Sequence, residues 1–136
     1  MVQAEERVRF TGFLLDRFPN GDCLARVTLE WRDGPPITGE ARGHGSEPGE
    51  LRSAAQACLN ALAGVIRETA FELLGVKAVR AFDATVVIVS LAVTGREGGP
   101  RLVGSYLADA DLPRGAALAV LNATNRLVPR RPEGPG

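Results

Sequence analysis

The sequence is poor in the residue types from which most metal and nucleophile sites are built. It contains one histidine, His44, and two distant cysteines, Cys23 and Cys58, without CxxC spacing. Histidine-based metal sites and Cys/His dyads therefore lack their parts. No Gly-x-Ser-x-Gly motif marks a serine nucleophile, although counting residues leaves a Ser/His/Asp triad open. We expect two buried free thiols, no metal and no cofactor.

Excess charge and long apolar runs are also lacking. The 16 basic and 16 acidic residues of the 136-residue chain cancel. This balance argues against nucleic-acid or membrane-surface binding through bulk charge. No apolar run reaches the roughly 20 residues of a membrane-spanning helix, and the first six residues are too polar and acidic for a signal peptide. The composition predicts one soluble cytoplasmic domain.

The feature that the sequence does have is an internal repeat. Residues 114–124 (RGAALAVLNAT) match residues 52–62 (RSAAQACLNAL) at seven of eleven positions, 62 residues apart. This is more than chance would give, so the repeat predicts two copies of one supersecondary unit.

Both copies carry the same order of predicted elements. Alternating apolar and polar residues indicate strands, and apolar residues every three or four positions indicate helices. The first copy contains predicted strands at 8–15, 23–32 and 37–43 and a helix from about Ser46 to about Arg67; the second contains strands at 71–82, 85–94 and 101–107, with a tight turn at Asp83-Ala84, and a helix at 112–127.

The end of the first helix has an alternative. The helix could continue to Leu74, with Gly75 as its C-terminal cap. The repeat disfavours this, because residues 74–76 occupy the place that residues 11–13 occupy in the first strand.

The sequence thus predicts an α+β fold. Two pseudo-symmetric βββα units, at 7–67 and 70–128, form a single domain at 7–128. Their antiparallel strands, in one sheet or two, present an apolar face to two helices packed on that face. The N-terminus at 1–6 and the Pro/Gly/Arg-rich tail at 129–136 are expected to be disordered.

The two middle strands differ in their outer faces. The middle strand of the first unit alternates between apolar and polar residues, whereas residues 86–93 (VVIVSLAV) are apolar on both faces. A strand that is apolar on both faces is usually covered on both. We therefore expect a partner chain, most simply a twofold homodimer, over Val86, Ile88 and Ala92. The alternative is that loops or the N-terminus cover these residues.

The second unit resembles a known family. Residues 71–79 (FELLGVKAV), the strand after Asp83-Ala84, Gly104 with its acidic loop, and residues 116–122 (AALAVLN) resemble the C-terminal regulatory domain of 2-isopropylmalate synthases. The resemblance covers roughly residues 8–128. It implies paired βββα units that dimerise and bind the feedback inhibitor leucine. The sequence contains no counterpart of the synthase's catalytic barrel, so the resemblance implies a stand-alone regulatory module.

The resemblance extends to the loops before the helices, with two departures. Gly43-His44-Gly45 stands where the family has a Gly-x-Gly loop, and Gly104, Asp109 and Asp111 remain of a Gly/Asp-rich loop. Ser105-Tyr106 replaces the family's second glycine, and Gly115-Ala116 replaces an Ala-Ser pair. Both departures fall in the family's ligand region, so specificity for leucine does not carry over.

Six residues are candidates for a ligand site: Gly43, His44, Gly45, Arg52, Asp109 and Asp111. Glycines before a helix allow a ligand to approach the backbone, and helix N-termini favour anions. An arginine can hold a carboxylate, and the two aspartates can bind a cation or an amine.

Each candidate also has a structural alternative. The glycines could form only a tight strand-to-helix turn with an exposed histidine. Asp111 could cap the following helix, and Arg52 could pair with surface carboxylates. Asn60 and Asn122 recur in the repeat, which favours a shared structural role, either a hydrogen bond to the backbone of a neighbouring loop or a contact across the pseudo-twofold axis.

Three functions are consistent with the sequence. The first is a non-catalytic regulatory module that binds an amino acid or small carboxylate as a homodimer, with a partner enzyme or other protein. The second is a structural or protein-interaction domain that assembles without a ligand. The third, an enzyme, is the weakest, because no nucleophile-base pair or metal set can be assembled.

Overall fold

The computed structural model describes residues 7–67, 69–94 and 100–125, which form an α+β fold of two βββα units. The first unit contains β1 (Val8–Arg17), β2 (Asp22–Trp31), β3 (Ile37–His44) and α1 (Glu47–Ala63); the second contains β4 (Phe71–Ala81), β5 (Ala84–Val93), β6 (Arg101–Ala108) and α2 (Leu112–Thr124). The predicted class and the repeated order are confirmed. The segments at 1–6 and 129–136 and the predicted helix end at 127 lie outside the described residues.

The strands form two separate antiparallel sheets, in the orders β1-β2-β3 and β4-β5-β6. The strand register repeats along with the topology. Val27 of β2 pairs with Gly39 of β3, and its counterpart Val89 of β5 pairs with Gly104 of β6. Equivalent residues of β2 and β5 are therefore 62 positions apart, and those of β3 and β6 are 65 positions apart.

Both helices begin at a capping side chain. Ser46 Oγ accepts a hydrogen bond from the Gly49 N–H, and Asp111 Oδ1 accepts one from the Arg114 N–H, both at 3.2 Å. These bonds satisfy N–H groups that lack a partner within the helix. Among the described residues, neither helix has the length and apolar character needed to cross a membrane.

Helix α1 ends at Ala63, earlier than the predicted end near Arg67. Gly64 follows, and glycine loses more conformational entropy in a helix than any other residue. The chain then turns so that the Ile66 N–H bonds the Leu62 carbonyl at 2.7 Å. Ile66 lies outside the helix but its side chain is still buried in the core. Its apolar character therefore fits the helical spacing in the sequence, although the residue is not helical.

The core lies between the helices and the inner faces of the two sheets. The inner residues of the middle strands are fully buried: Ala25, Val27 and Leu29 in β2, and Val87, Val89 and Leu91 in β5. Burying a valine or leucine side chain contributes about 1.5–3 kcal/mol each. The helices meet these strands through fully buried alanines: Ala54, Ala55, Ala57, Ala61, Ala116, Ala117, Ala119 and Ala123. The small side chains therefore serve close packing.

Two glycines let each helix lie directly on the third strand of its own sheet. A Cβ atom on Gly39 would overlap the backbone nitrogen of Ala61 in α1. A Cβ atom on Gly104 would likewise overlap the backbone oxygen of Ala119 in α2. Both glycines are buried, so their role is steric.

The recurring asparagines of the two helices form hydrogen bonds to the same strands, β3 and β6. Asn60 Nδ2 donates to the carbonyl of Glu40 at 2.7 Å, and Asn122 Nδ2 donates to the carbonyl of Ser105 at 2.6 Å. Each accepting residue follows the close-packed glycine of its strand. A structural role is confirmed, but the predicted partners are wrong: each asparagine bonds a carbonyl of the edge strand in its own unit, not a loop or the other unit.

The helices pack against each other, and each reaches the other unit. Arg52 Nη2 of α1 lies 3.5 Å from the Leu73 carbonyl in β4. Its counterpart Arg114 of α2 holds its guanidinium 5.2 Å from the centre of the Phe10 ring in β1. Leu73 and Phe10 each precede a shift of register in their strand. The contacts between units thus follow the same pseudo-symmetry as the units themselves.

The hairpin turn between β4 and β5 is one residue earlier than the predicted Asp83-Ala84. Phe82 and Asp83 occupy its centre, with φ of 54° and 63°. Two consecutive residues at positive φ match the right-handed twist of a two-residue hairpin, which usually selects asparagine or glycine. Phe82 is fully exposed at the tip.

We expect Gly39→Ala to lower the free energy of unfolding by about 3 kcal/mol, because the new methyl group would push α1 off β3. Gly75→Ala is the matched control, since no heavy atom lies within 4 Å of its Cβ position. That control should be neutral or stabilising by about 0.5 kcal/mol. Urea denaturation measures both, and equal stability of the two variants would show that the helix can move without cost.

Candidate functional site

A groove of about 310 Å³ lies between the end of β3 and the first turns of α1. It contains three of the six predicted ligand residues. Its lining residues are Ala41, Arg42, Gly43, His44, Gly49, Arg52, Ser53 and Gln56. The groove is therefore mostly backbone and small side chains on its floor, with two guanidinium groups and an amide at its walls.

The glycines shape the floor of this groove. A Cβ atom on Gly43 would overlap Ser53 Oγ, and one on Gly49 would overlap the carbonyl oxygen of His44. Gly45 does not line the groove; its N–H donates to the carbonyl of Gly21 at 2.8 Å and joins the β3–α1 turn to the β1–β2 turn. These contacts form a tight strand-to-helix connection.

With the described residues, the two arginines of the groove make long polar contacts. Arg42 Nη1 lies 3.6 Å from Asp22 Oδ2, and its guanidinium lies 4.9 Å from the centre of the Phe18 ring. Arg52 Nη2 reaches the Leu73 carbonyl at 3.5 Å. Both side chains are exposed. A guanidinium carries five N–H donors, so both retain capacity for an anionic ligand.

A buried carboxylate at the start of α1 is already neutralised. Arg17 Nε and Nη2 bond the two oxygens of Glu50 at 2.6 Å and 3.0 Å. The hydrogen bond to Glu50 raises the pKa of Arg17, and the charges of Glu50 and Asp111 raise it further. This pair could not be predicted from the sequence, because its members lie on different elements, 33 residues apart.

The two candidate aspartates lie away from this groove. Asp111 caps α2 and borders a separate hollow of about 450 Å³ that Phe13, Arg17 and Pro113 also line. Asp109 is exposed in the loop before it. The structure therefore divides the predicted ligand residues between the N-terminal ends of two helices and does not bring all six together.

A larger side chain stands at the equivalent place in the described part of the second unit. Counting from the paired glycines Gly39 and Gly104, Tyr106 is the counterpart of Ala41. A Cβ atom on Gly115, the counterpart of Ser53, would lie 3.5 Å from Tyr106 Cδ2. The tyrosine ring thus occupies the place that stays open in the first unit.

The two cysteine thiols are free and fully buried. Cys23 Sγ donates to the His44 carbonyl at 3.2 Å. Burial raises the pKa of the Cys58 thiol, so the thiolate that a nucleophile or metal ligand requires is disfavoured. Within residues 7–67, 69–94 and 100–125 no group of three His, Cys, Asp or Glu side chains could hold a metal ion.

The outer faces of the two sheets have opposite character. On the first sheet, Arg26 pairs with Glu40 at 2.7 Å and Thr28 bonds Thr38 at 3.1 Å. On the second sheet, the expected interface residues Val86, Ile88 and Ala92 lie half-buried along the middle of the outer face. They are flanked by exposed apolar side chains of the edge strands: Val79, Val103 (53% exposed) and Leu107 (60% exposed).

Comparisons with known proteins add no relative. No protein-family model matches the chain, and a search of curated proteins finds no significant sequence match.

We expect the Cys58 thiol to react with a thiol reagent only when the protein unfolds, because the buried thiol is both shielded and protonated. A Cys23→Ser variant isolates this thiol, and Thr38→Cys in that background supplies an exposed control thiol on β3. Labelling kinetics measured with and without urea test this. Labelling of Cys58 in native buffer at the rate of the control would contradict the buried position.

Proposed function

We propose that the chain is a non-catalytic regulatory module that binds an amino acid or small carboxylate in the α1 groove and acts as a homodimer. The observation that carries the ligand proposal is the groove at Gly43, His44 and Arg52, with its two weakly engaged guanidinium groups. Guanidinium groups bind carboxylates through paired hydrogen bonds, which suits this class of ligand.

The electrostatics at the groove favour an anion more than the sequence suggested. Glu47 and Glu50 begin the helix and would oppose a bound carboxylate at its N-terminus. The ion pair with Arg17 offsets the charge of Glu50, which leaves Glu47 as the remaining acid of the first turn. Among the residues that line the groove, the charged side chains are those of Arg42 and Arg52.

The size of the groove favours a small ligand. Its volume of about 310 Å³ is at the low end of ligand pockets, which range from about 300 to 1,000 Å³. The resemblance to the regulatory domain of 2-isopropylmalate synthases points in the same direction. Its second loop differs here, and Tyr106 occupies that position, so we propose one ligand for each chain.

A specific observation favours the alternative, a protein-interaction domain that needs no ligand. The second sheet exposes an apolar outer face, and Phe82 projects fully exposed from the hairpin at one end of it. Large apolar patches on a protein surface usually mark sites of association with another molecule. A partner enzyme or other protein could occupy this face in that case.

We expect a ligand from a panel of free amino acids and small mono- and dicarboxylates to raise the melting temperature of the protein. At a tenfold excess over Kd the stabilisation is about 1.4 kcal/mol, or roughly 5 °C in Tm. Ala41→Tyr should abolish the shift, because it fills the groove as Tyr106 does in the second unit. Arg52→Gln should weaken it.

Arg114→Gln is the matched control for Arg52→Gln, since it removes the pseudo-symmetric arginine outside the groove. It should leave the ligand shift unchanged. If no compound of the panel shifts the melt while a protein partner binds stably, the protein-interaction alternative replaces the ligand proposal.

We expect Ile88→Asp to yield monomer or insoluble protein, because a charge would be buried in the proposed dimer contact. Thr28→Asp places the same side chain on the polar outer face of the first sheet and should retain the oligomeric size of the parent protein. Light scattering coupled to gel filtration measures both. A soluble Ile88→Asp variant of unchanged size would remove this face as the interface.

A further inference from the structure

The outer face of the second sheet is organised in rows that cross its three strands, since directly paired residues point to the same side. In order along the strands, the rows are Glu72, Ala92 and Arg101; Gly75, Ser90 and Val103; Lys77, Ile88 and Ser105; and Val79, Val86 and Leu107. Opposite charges therefore stand on the two edges of the first row, and apolar side chains fill the last.

We propose that two copies of this chain pack these faces together about a twofold axis that runs along β5. The inference rests on the homodimer proposed above and adds its geometry. Such an axis keeps each row at its own height and lays β6 of one copy over β4 of the other. Each Glu72 then faces Arg101 of the second copy, so both charges are paired at the rim of the contact.

The apolar side chains also find apolar partners in this arrangement. Val79 faces Leu107 of the second copy. Val103 faces Leu74, the extra residue at the register shift of β4, which is also exposed. Along the axis, Ile88 meets its own counterpart. Lys77 faces the hydroxyl of Ser105, so no like charges meet.

Axes that run across the strands fit the same surface less well. An axis through the Ile88 row lays β4 on β4 and sets Lys77 against Lys77 of the second copy, which is repulsive. An axis through the Ser90 row pairs Lys77 with Glu72, but the row that contains Val86 then extends past the end of the second copy's strands. The axis along β5 covers the apolar row and pairs the charges together.

The contact has the area of a modest interface. Three strands about 4.8 Å apart and about nine residues long present a face of roughly 15 by 30 Å. Two such faces bury on the order of 1,000 Å², close to the lower limit for specific association. Phe82, at the same end as Val79, adds apolar area. We therefore expect a dimer whose population depends on protein concentration.

Crosslinking of single cysteine variants tests the direction of the axis. Val86→Cys and Ala92→Cys lie about 20 Å apart on β5. An axis along β5 brings each of these thiols near its own counterpart, whereas an axis across the strands can do so for at most one of them, and only if it passes through the row of that residue. A thiol crosslinker that spans about 8–10 Å should therefore join both variants as dimers, given sheets about 10 Å apart. Leu24→Cys, on the outer face of the first sheet, is the matched control and should stay uncrosslinked.

Any result other than crosslinking of both variants overturns the proposed axis, and each such result has a different meaning. Crosslinking of only one variant places the axis across the strands and leaves the homodimer standing. Crosslinking of neither variant in a protein that light scattering shows to be dimeric excludes the axis along β5, because both an axis across the strands through the Ile88 or Ser90 row and a contact on another surface give this result. A protein that stays monomeric at every concentration removes the homodimer as well as its axis.

Charge reversal gives a second test that does not depend on thiol chemistry. Glu72→Arg and Arg101→Glu should each weaken dimerisation by about fivefold to tenfold at low salt, because each creates two like-charge contacts. The double variant should restore the parent dissociation constant, because the charges then face each other in exchanged positions. A double variant as weak as the single ones would show that these residues do not meet.

Discussion

The close approach of each helix to the third strand of its sheet is the constraint on which the rest of the structure depends. Gly39 and Gly104 have no Cβ atom, so α1 and α2 lie on the strand backbone itself. At that separation small residues fit where the helices cross the strands, which accounts for the alanines beside the two glycines, such as Ala61 and Ala119. It also brings Asn60 and Asn122 within reach of the edge carbonyls. The packing, the alanines at these crossings and the edge hydrogen bonds thus follow from two missing side chains.

The two units diverge only where this constraint does not act. Position 41 and its counterpart, position 106, lie two residues beyond the close-packed glycines and hold an alanine and a tyrosine. The outer faces of the sheets are polar in one unit and apolar in the other. The open groove therefore belongs to the first unit and the apolar face to the second, so the proposed ligand and the proposed dimer contact do not compete for the same surface.

Most of the fold was predictable because its determinants are periodic. The alternation in β2 and β5, the capping residues Ser46 and Asp111, and the repeat itself fixed the element order. The predicted end of the first helix, near Arg67, was about four residues too late, since α1 ends at Ala63. The predicted turn at Asp83-Ala84 was one residue too late, since Phe82 and Asp83 form it. The helix end was misplaced because Ile66, an apolar residue just past the helix, continues the helical spacing of apolar residues. The turn was misplaced because it contains Phe82 and Asp83 in place of the usual glycine or asparagine.

The site was less predictable, since it depends on register. Ala41 and Tyr106 are equivalent in the sheets, yet they are 65 residues apart, whereas the helices repeat at 62. The three extra residues lie in the connection between β5 and β6, which is longer than the one between β2 and β3. Aligning the two units at a spacing of 62 therefore does not place Ala41 opposite Tyr106. Asp109 and Asp111 were candidate ligand residues together with Gly43, whereas the structure places them near the start of α2, away from the α1 groove. The pair of Arg17 and Glu50 left no local pattern at all.

Arg52 of α1 contacts β4, and Arg114 of α2 contacts β1, so the contacts between the two units are reciprocal. Two identical half-length chains, each a single βββα unit, would make the same helix–helix and arginine–strand contacts with each other. The protein therefore has the arrangement of a covalently fused dimer of βββα units, in which the chain between α1 and β4 joins the two halves. Halves joined in one chain need not be alike, and here one has an open groove and the other an apolar outer face.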